Sequence, residues 1–221
     1  GVIRQGLGTG DNNRFIRAFW EVPPQLIATQ GNSTAVFAEQ FSKGKRWTFH
    51  VRSGSSQPWY SPLTLVIDWE NQGLRLKERW RSQGETPSRY IPSEELYFRP
   101  GFSWTLRAFR LIPYLIPGGC IPSASRYMGF PRSGCEFAVL GTTASNVASC
   151  FSRFYGEMFE RPKHLVDTLK RLPFTELPVS VNKNLQNKIV AEVESRRNFY
   201  RNFEPFAEFI VPAYIRQWVS D

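Results

Sequence analysis

Apolar and polar residues alternate at period two along Trp47-Thr48-Phe49-His50-Val51, the spacing of a strand with one buried face. Leu63-Thr64-Leu65-Val66-Ile67-Asp68-Trp69 is denser and β-branched, and it lies between Pro62 and Gly73. That composition suits a central strand. Residues 34–80 as a whole read as sheet, with Gly54-Ser55-Ser56 as a connecting loop. Leu96 through Trp104 predicts strand, turn, strand about Pro100-Gly101. The Pro- and Gly-rich stretch 111–134 predicts short strands meeting tight turns. At the front, Arg4 through Asn13 forms a glycine-rich turn. The following run, Arg14 to Val22, is either a short helix capped by Asp11 or Asn12 or a strand, and it ends at Pro23-Pro24.

The rear half changes period. Ala144 to Met158 predicts a helix limited by Pro162, and His164 to Lys170 adds a further turn or two. From Asn182 the residues Leu185, Ile189 and Val193 recur every fourth position among polar neighbours. That is a surface helix with one buried stripe, running to about Arg201. The expected fold class is therefore α+β, with a mixed or antiparallel sheet in the front half and packed helices in the rear half. Residues 1–132 form the strand-rich part and 133–221 a helical scaffold or docking part, packed together as one unit.

Charge separates the same two parts. Residues 1–132 carry 17 basic and 9 acidic side chains, whereas 133–221 carry 11 and 10, so nearly all of the net +9 sits in front. Arginine supplies 21 of the 28 basic residues, and its rigid fork suits phosphates and base edges. A polyanion is the first partner this implies. The apolar and aromatic content is too high for a disordered tail. No run is long and apolar enough to span a membrane. Three sparse cysteines, Cys120, Cys135 and Cys150, match no zinc spacing and fit reduced thiols in a cytoplasmic protein.

Gly6-Leu7-Gly8-Thr9-Gly10 lacks the spacing of a nucleotide-binding fingerprint, although its backbone N–H groups could still face a DNA phosphate. A plain tight turn is the competing reading. Lys43, Lys45, Arg46 and Arg52 interleave with Trp47, Trp59 and Tyr60, a surface suited to a nucleic acid backbone with stacking on an unpaired base. Core burial is the alternative for the tryptophans. Arg75, Lys77, Arg79 and Arg81 alternate with Leu74, Leu76, Glu78 and Trp80, so an extended chain would present four like charges on one face. Such a row repels itself unless an anion neutralises it. Asp68 and Glu70, with Asp11 and Glu21, are the acids to test as a metal-dependent nuclease or hydrolase set.

The block Gly6-Leu7-Gly8-Thr9-Gly10-Asp11-Asn12-Asn13-Arg14-Phe15-Ile16-Arg17, continuing to Trp20-Glu21-Val22, resembles one in large adenine-specific DNA methyltransferases. These include the BREX phage-defence methylase and fused restriction–modification enzymes. Two further blocks follow in the family's order. One is Val66 to Gly73, with its Trp-x-x-x-Gly; the other is Tyr97-Phe98-Arg99-Pro100-Gly101-Phe102-Ser103-Trp104. Phe137 to Asn146 holds the place of a later family helix without its Asn-Ser order.

The resemblance implies a target-recognition domain that reads a short duplex site and positions an adenine for N6-methylation. Its partners would be double-stranded DNA and the catalytic domain of the same parent chain. DNA-facing groups carried over would be Thr9, Asp11, Asn12, Arg14 and the basic row from Lys43 to Arg52; Arg17, from its charge and place beside the glycine-rich segment, could also reach a phosphate. The Asp/Asn-Pro-Pro-aromatic loop of adenine methylation is missing, since Pro23-Pro24 is flanked by Val22 and Gln25. No metal or cofactor site is expected in this chain; S-adenosylmethionine would belong to the parent enzyme. A module docking an acidic protein surface is the alternative.

Overall fold

The computed structural model describes residues 1–28, 34–52, 58–132, 135–156, 162–174 and 177–202. The expected Gly54–Ser56 loop and the end of the 144–158 helix lie outside them. The strands of the described residues fall between Val2 and Phe130, and the longer rear helices follow from Glu136. An α+β chain with sheet in front and helices behind is what the periodicities imply.

The first sheet runs β1 (Val2–Gln5), β10 (Tyr127–Phe130), β7 (Gly101–Trp104), β8 (Pro113–Ile116) and β5 (Trp59–Tyr60). Its pairings are antiparallel except β5 with β8. The second sheet runs β2 (Ile16–Ala18), β6 (Leu65–Asp68), β4 (Trp47–Val51) and β3 (Ile27–Ala28). One edge of β4 is shared. β3 pairs parallel with its start and β9 (Cys120–Pro122) parallel with its end.

Two expectations within 34–80 are corrected. Residues 34–42 are helix α2 (Thr34–Ser42), because Phe37 and Phe41 are buried four apart, a helical and not a strand interval. Residues 70–82 are helix α3 (Glu70–Ser82), in which Leu76 and Trp80 are buried four apart while Leu74 is exposed. Upstream of β7, the expected strand at Leu96 is instead a short 3-10 turn.

Between Gly10 and β2, both local expectations are met in succession. α1 (Asn12–Phe15) is one helical turn, and the Asp11 carboxylate accepts from the Arg14 N–H at 3.2 Å to cap it. The chain then extends into β2. α4 (Pro87–Tyr90) is another single turn. The rear carries α5 (Glu136–Ala144), α6 (Asn146–Tyr155), α7 (Val166–Lys170) and α8 (Val179–Tyr200).

The layers follow from strand alternation. Ile16, Ala28, Ile67 and Ile121 bury one face of the second sheet against Phe37 and Phe41 of α2 and Leu76 and Trp80 of α3. Val51 and Cys120 meet Tyr114, Ile116, Met128 and Phe130 between the two sheets. Phe102 and Trp104 on the far face of the first sheet pack against Leu140, Ala148, Leu169 and Ile189 of the rear helices. Helices, sheet, sheet and helices thus stack as successive layers. His164 ties the last two together. It is buried, its Nδ1 lies 2.6 Å from the Ser152 hydroxyl, and its backbone carbonyl accepts from the Trp104 indole at 2.8 Å.

Candidate nucleic-acid interface

The glycine-rich segment is built from its packing. The N–H groups of Gly6, Leu7 and Gly8 donate to the carbonyls of Arg126, Pro122 and Tyr90 at 3.3, 2.8 and 2.7 Å. Those three donors are spent inside the protein, so these N–H groups do not face a phosphate. Gly10 has φ +63°, and a Cβ there would lie 2.5 Å from the Trp80 ring. The Trp80 indole donates to Gly8 O at 3.1 Å and stacks on Tyr90 with centroids 3.7 Å apart. Arg79 donates to Gly10 O at 3.0 Å. The loop is a clamp between two layers. It does not fit S-adenosylmethionine either, since Trp80 closes over the position where a cradle would open.

The first predicted contacts divide by exposure. Thr9 is buried, and its hydroxyl donates to Asn12 Oδ1 at 2.6 Å, so these two groups brace the turn. Asp11 caps α1 and lies 3.9 Å from Arg79. Arg14 is exposed beside the Phe15 ring. Arg17 donates to the carbonyls of Asn13 and Ile16. Trp20, the family block's aromatic, is 59% exposed and packs edge-on against Phe19.

The Trp-x-x-x-Gly block also has a steric cause. Asn71, Gln72 and Gly73 have φ of 48°, 57° and 73°, a left-handed passage between β6 and the regular part of α3. A Cβ on Gly73 would meet the buried Trp69 ring at 2.8 Å. Only glycine accepts both the dihedral and the contact.

The basic row at 75–81 is corrected from strand to helix, which splits it. One face carries Arg75 and Arg79 and the other Lys77 and Arg81, because residues four apart share a side. Three of the four have acidic partners. Arg75 donates to Asp68 Oδ2 at 2.7 Å, Lys77 pairs with Glu94 at 2.7 Å, and Arg79 lies beside Asp11. Arg81 is exposed. The row's mutual repulsion is therefore already relieved within the protein.

The upstream basic group is likewise engaged. Lys43 pairs with Glu39 at 2.6 Å on the surface of α2, and Lys45 donates to Gln25 O at 2.6 Å. Arg46 donates to Asp68 Oδ2 through Nη2 at 2.8 Å and Nε at 3.3 Å. Its hydrogen bond to Asp68 raises the Arg46 pKa further. Arg52 is exposed at the end of β4. Trp47 and Tyr60, two of the rings expected to stack on a base, are buried, and Trp59 is half-buried against the cluster of the rear helices.

Asp68, one of the acids considered for a metal-dependent set, is instead a hub for two arginines. Its carboxylate is buried and one oxygen accepts from two guanidiniums. Glu70 lies 3.9 Å from Arg46, and Glu21 accepts from the Ala18 N–H at 2.6 Å. The four acids offered as a nuclease set each face a protein donor. No group of three His, Cys, Asp or Glu side chains among the described residues could hold a metal ion. No helix among them is long and apolar enough to cross a membrane.

No protein-family model matches the chain. A stretch of 102 residues, 46% of the chain, is 26% identical to the adenine-specific methyltransferase PglX of Lacticaseibacillus casei (strain Zhang). It spans only 8% of that relative. The fold matches a solved structure of the Type IIL restriction-modification enzyme MmeI in complex with DNA, with a TM-score of 0.55 and 14% identity. That likeness covers 89% of this chain and 28% of the enzyme. The chain thus has weak sequence similarity to an adenine-specific methyltransferase and the fold of one part of a Type IIL restriction-modification enzyme.

Proposed function

We propose that this chain is the target-recognition module of an N6-adenine DNA methyltransferase. It reads a short duplex site and positions it for a catalytic domain elsewhere in the parent protein, which would bind S-adenosylmethionine. The observation carrying this reading is that nearly the whole chain shares its fold with part of an enzyme solved on DNA. The sequence likeness to PglX points to the same enzyme class. Residues 1–132 would hold the DNA face and the rear helices would serve as scaffold. Among the candidate DNA-facing groups, Arg14, Arg52 and Arg81 are exposed without an acidic partner among the described residues, so they are the first candidates to reach a phosphate. Asp11, Asn12, Arg17, Lys43, Lys45, Arg46, Arg75, Lys77 and Arg79 would contact DNA only by sharing or exchanging the partners described above.

The test is a salt-titrated binding assay of the 221-residue chain with pooled duplexes. Recognition predicts an affinity that falls steeply with salt, several phosphate contacts' worth. Undetectable binding at low salt would refute the reading.

A protein-docking module is the second reading, and one observation favours it. Val147, Phe151, Phe154 and Tyr155 form an exposed apolar stripe along α6, with Phe154 at 81% exposure. Under the first reading that stripe would meet the catalytic domain.

A further inference from the structure

Asp and Glu are absent from residues 40–67 and 96–135, the two longest acid-free stretches of the sequence, and from residues 1–10. The fold brings those three together. Every strand of the first sheet, β1, β10, β7, β8 and β5, is drawn from them, as are β4 and β9 of the second sheet. At one end they are stitched by backbone hydrogen bonds. Gly6 N–H donates to Arg126 O, Ser123 N–H to Val51 O, and Ala124 N–H to Leu7 O, at 3.3, 2.9 and 2.7 Å.

Three arginines emerge at this junction. Arg4 and Arg52 are exposed and Arg126 is half-buried. Arg126 Nε donates to the Arg52 carbonyl at 3.0 Å, which holds the two side by side. Arg4 lies two residues before Gly6 on β1, whose register places it opposite Met128, two residues beyond Arg126. The Gln5 amide, on the same strand, donates to Ala124 O at 2.7 Å and braces the turn. None of the three guanidiniums has a carboxylate partner among the described residues, in contrast to Arg46, Arg75, Lys77 and Arg79.

We infer that Arg4, Arg52 and Arg126 form a preorganised site for the phosphate backbone of a nucleic acid. Like charges gathered on hydrogen-bonded backbone, with no acid to relieve them, are stabilised by an external anion. Their placement on three separate segments that meet at one junction suits the spaced charges of a polyanion better than one small ion. Because the backbone beneath them is already fixed, little chain entropy is lost on binding. Phosphate contacts of this kind set register and leave sequence reading to other groups. The inference rests on the DNA-recognition reading and moves its electrostatic centre away from α3.

The test compares duplex affinity across a salt series for the full 221-residue chain and three variants. The first is Arg4→Ala/Arg52→Ala/Arg126→Ala, and the second is Arg4→Glu/Arg52→Glu, which leaves the Arg126 bond intact should the first fold poorly. The third, Lys170→Ala/Lys183→Ala/Lys188→Ala, lowers net charge by three units elsewhere, as the first does, against four in the second. Loss of about 0.9 in the log–log salt slope per contact, with at least tenfold weaker binding at low salt, is expected for the first two only. Wild-type binding with an unchanged slope in both arginine variants overturns the inference and leaves the DNA reading standing. Equal losses in the lysine variant reduce the effect to net charge and overturn it as well. A wild-type chain that binds no duplex refutes both. Binding of polyglutamate but not duplex would assign the surface to an acidic protein instead, overturning both.

Discussion

Gly10→Ala separates a packing clamp from a phosphate cradle. The residue has φ +63°, a region that costs an L-amino acid about 1–2 kcal/mol. The new methyl would also lie 2.5 and 2.6 Å from two carbons of the Trp80 ring. That ring cannot swing away without losing its stack on Tyr90 or its bond to Gly8 O. Forcing such a contact adds about 1–3 kcal/mol, so the variant should lose about 2–5 kcal/mol in total. Gly84→Ala is the control. It has φ +76° but nothing within 4 Å of its Cβ, so only the backbone cost of about 1–2 kcal/mol applies. Urea unfolding of both variants measures the difference, and the Gly10→Ala excess should vanish when Trp80→Leu is added. Equal losses for the two glycines would refute the clamp. A fall in duplex affinity at unchanged stability would instead restore the cradle.

Three further outcomes follow from buried polar groups. Asp68→Ala should cost about 2–3 kcal/mol, less than a fully buried pair because Arg46 and Arg75 are partly solvated and screened; a thermal shift implying under 0.5 kcal/mol would contradict its role as hub. Tyr97 has a buried hydroxyl without a hydrogen-bond partner among the described residues, and burial pushes its pKa up. Tyr97→Phe should therefore raise stability by about 1 kcal/mol, and a destabilised variant would show that the hydroxyl has an acceptor in solution. Burial lowers the His50 pKa from 6.5 to about 4, while its Nδ1–H donates to Ile121 O. The unfolded chain then binds the proton first, so stability is intact above pH 6.5 and falls by roughly 3 kcal/mol as pH drops from 6.5 to 4. His50→Gln should flatten most of that slope in unfolding curves taken across the window. His164, lowered in the same direction by its own burial, should leave a residue of it.

Strands with strict alternation were legible, and β4 and β6 sit where Trp47–Val51 and Leu63–Trp69 place them. So were helices whose buried stripe is long, such as α8 with Leu185, Ile189 and Val193. α2 and α3 were not, for a shared reason. Each shows a single pair of buried side chains four apart, and in α3 the exposed Leu74 two residues before Leu76 imitates strand alternation. The left-handed passage at Asn71–Gly73 was equally hidden, because what demands it is the Trp69 ring lying over Gly73. Of the resemblance blocks, the Gly6–Gly10 segment and Trp69–Gly73 both proved to be glycine–tryptophan contacts. Their signal reports how the layers are joined, and therefore a fold before it reports a ligand.

Charge shows the same distinction most sharply. Counting basic residues singled out 75–81, where density is highest, yet pairing depends on what the fold brings near, and there it brings Asp68, Glu94 and Asp11. A cation beside a carboxylate contributes little field at a distance, since the two nearly cancel beyond a Debye length of about 8–10 Å. Arg4 and Arg126 belong to no basic run and Arg52 only ends one, but the stretches they come from hold no acid at all. The absence of Asp and Glu along a segment was thus the more informative pattern. It survives folding wherever acid-free segments are the ones that pair with each other, as β1, β10 and the end of β4 do through the turn at Ser123–Arg126.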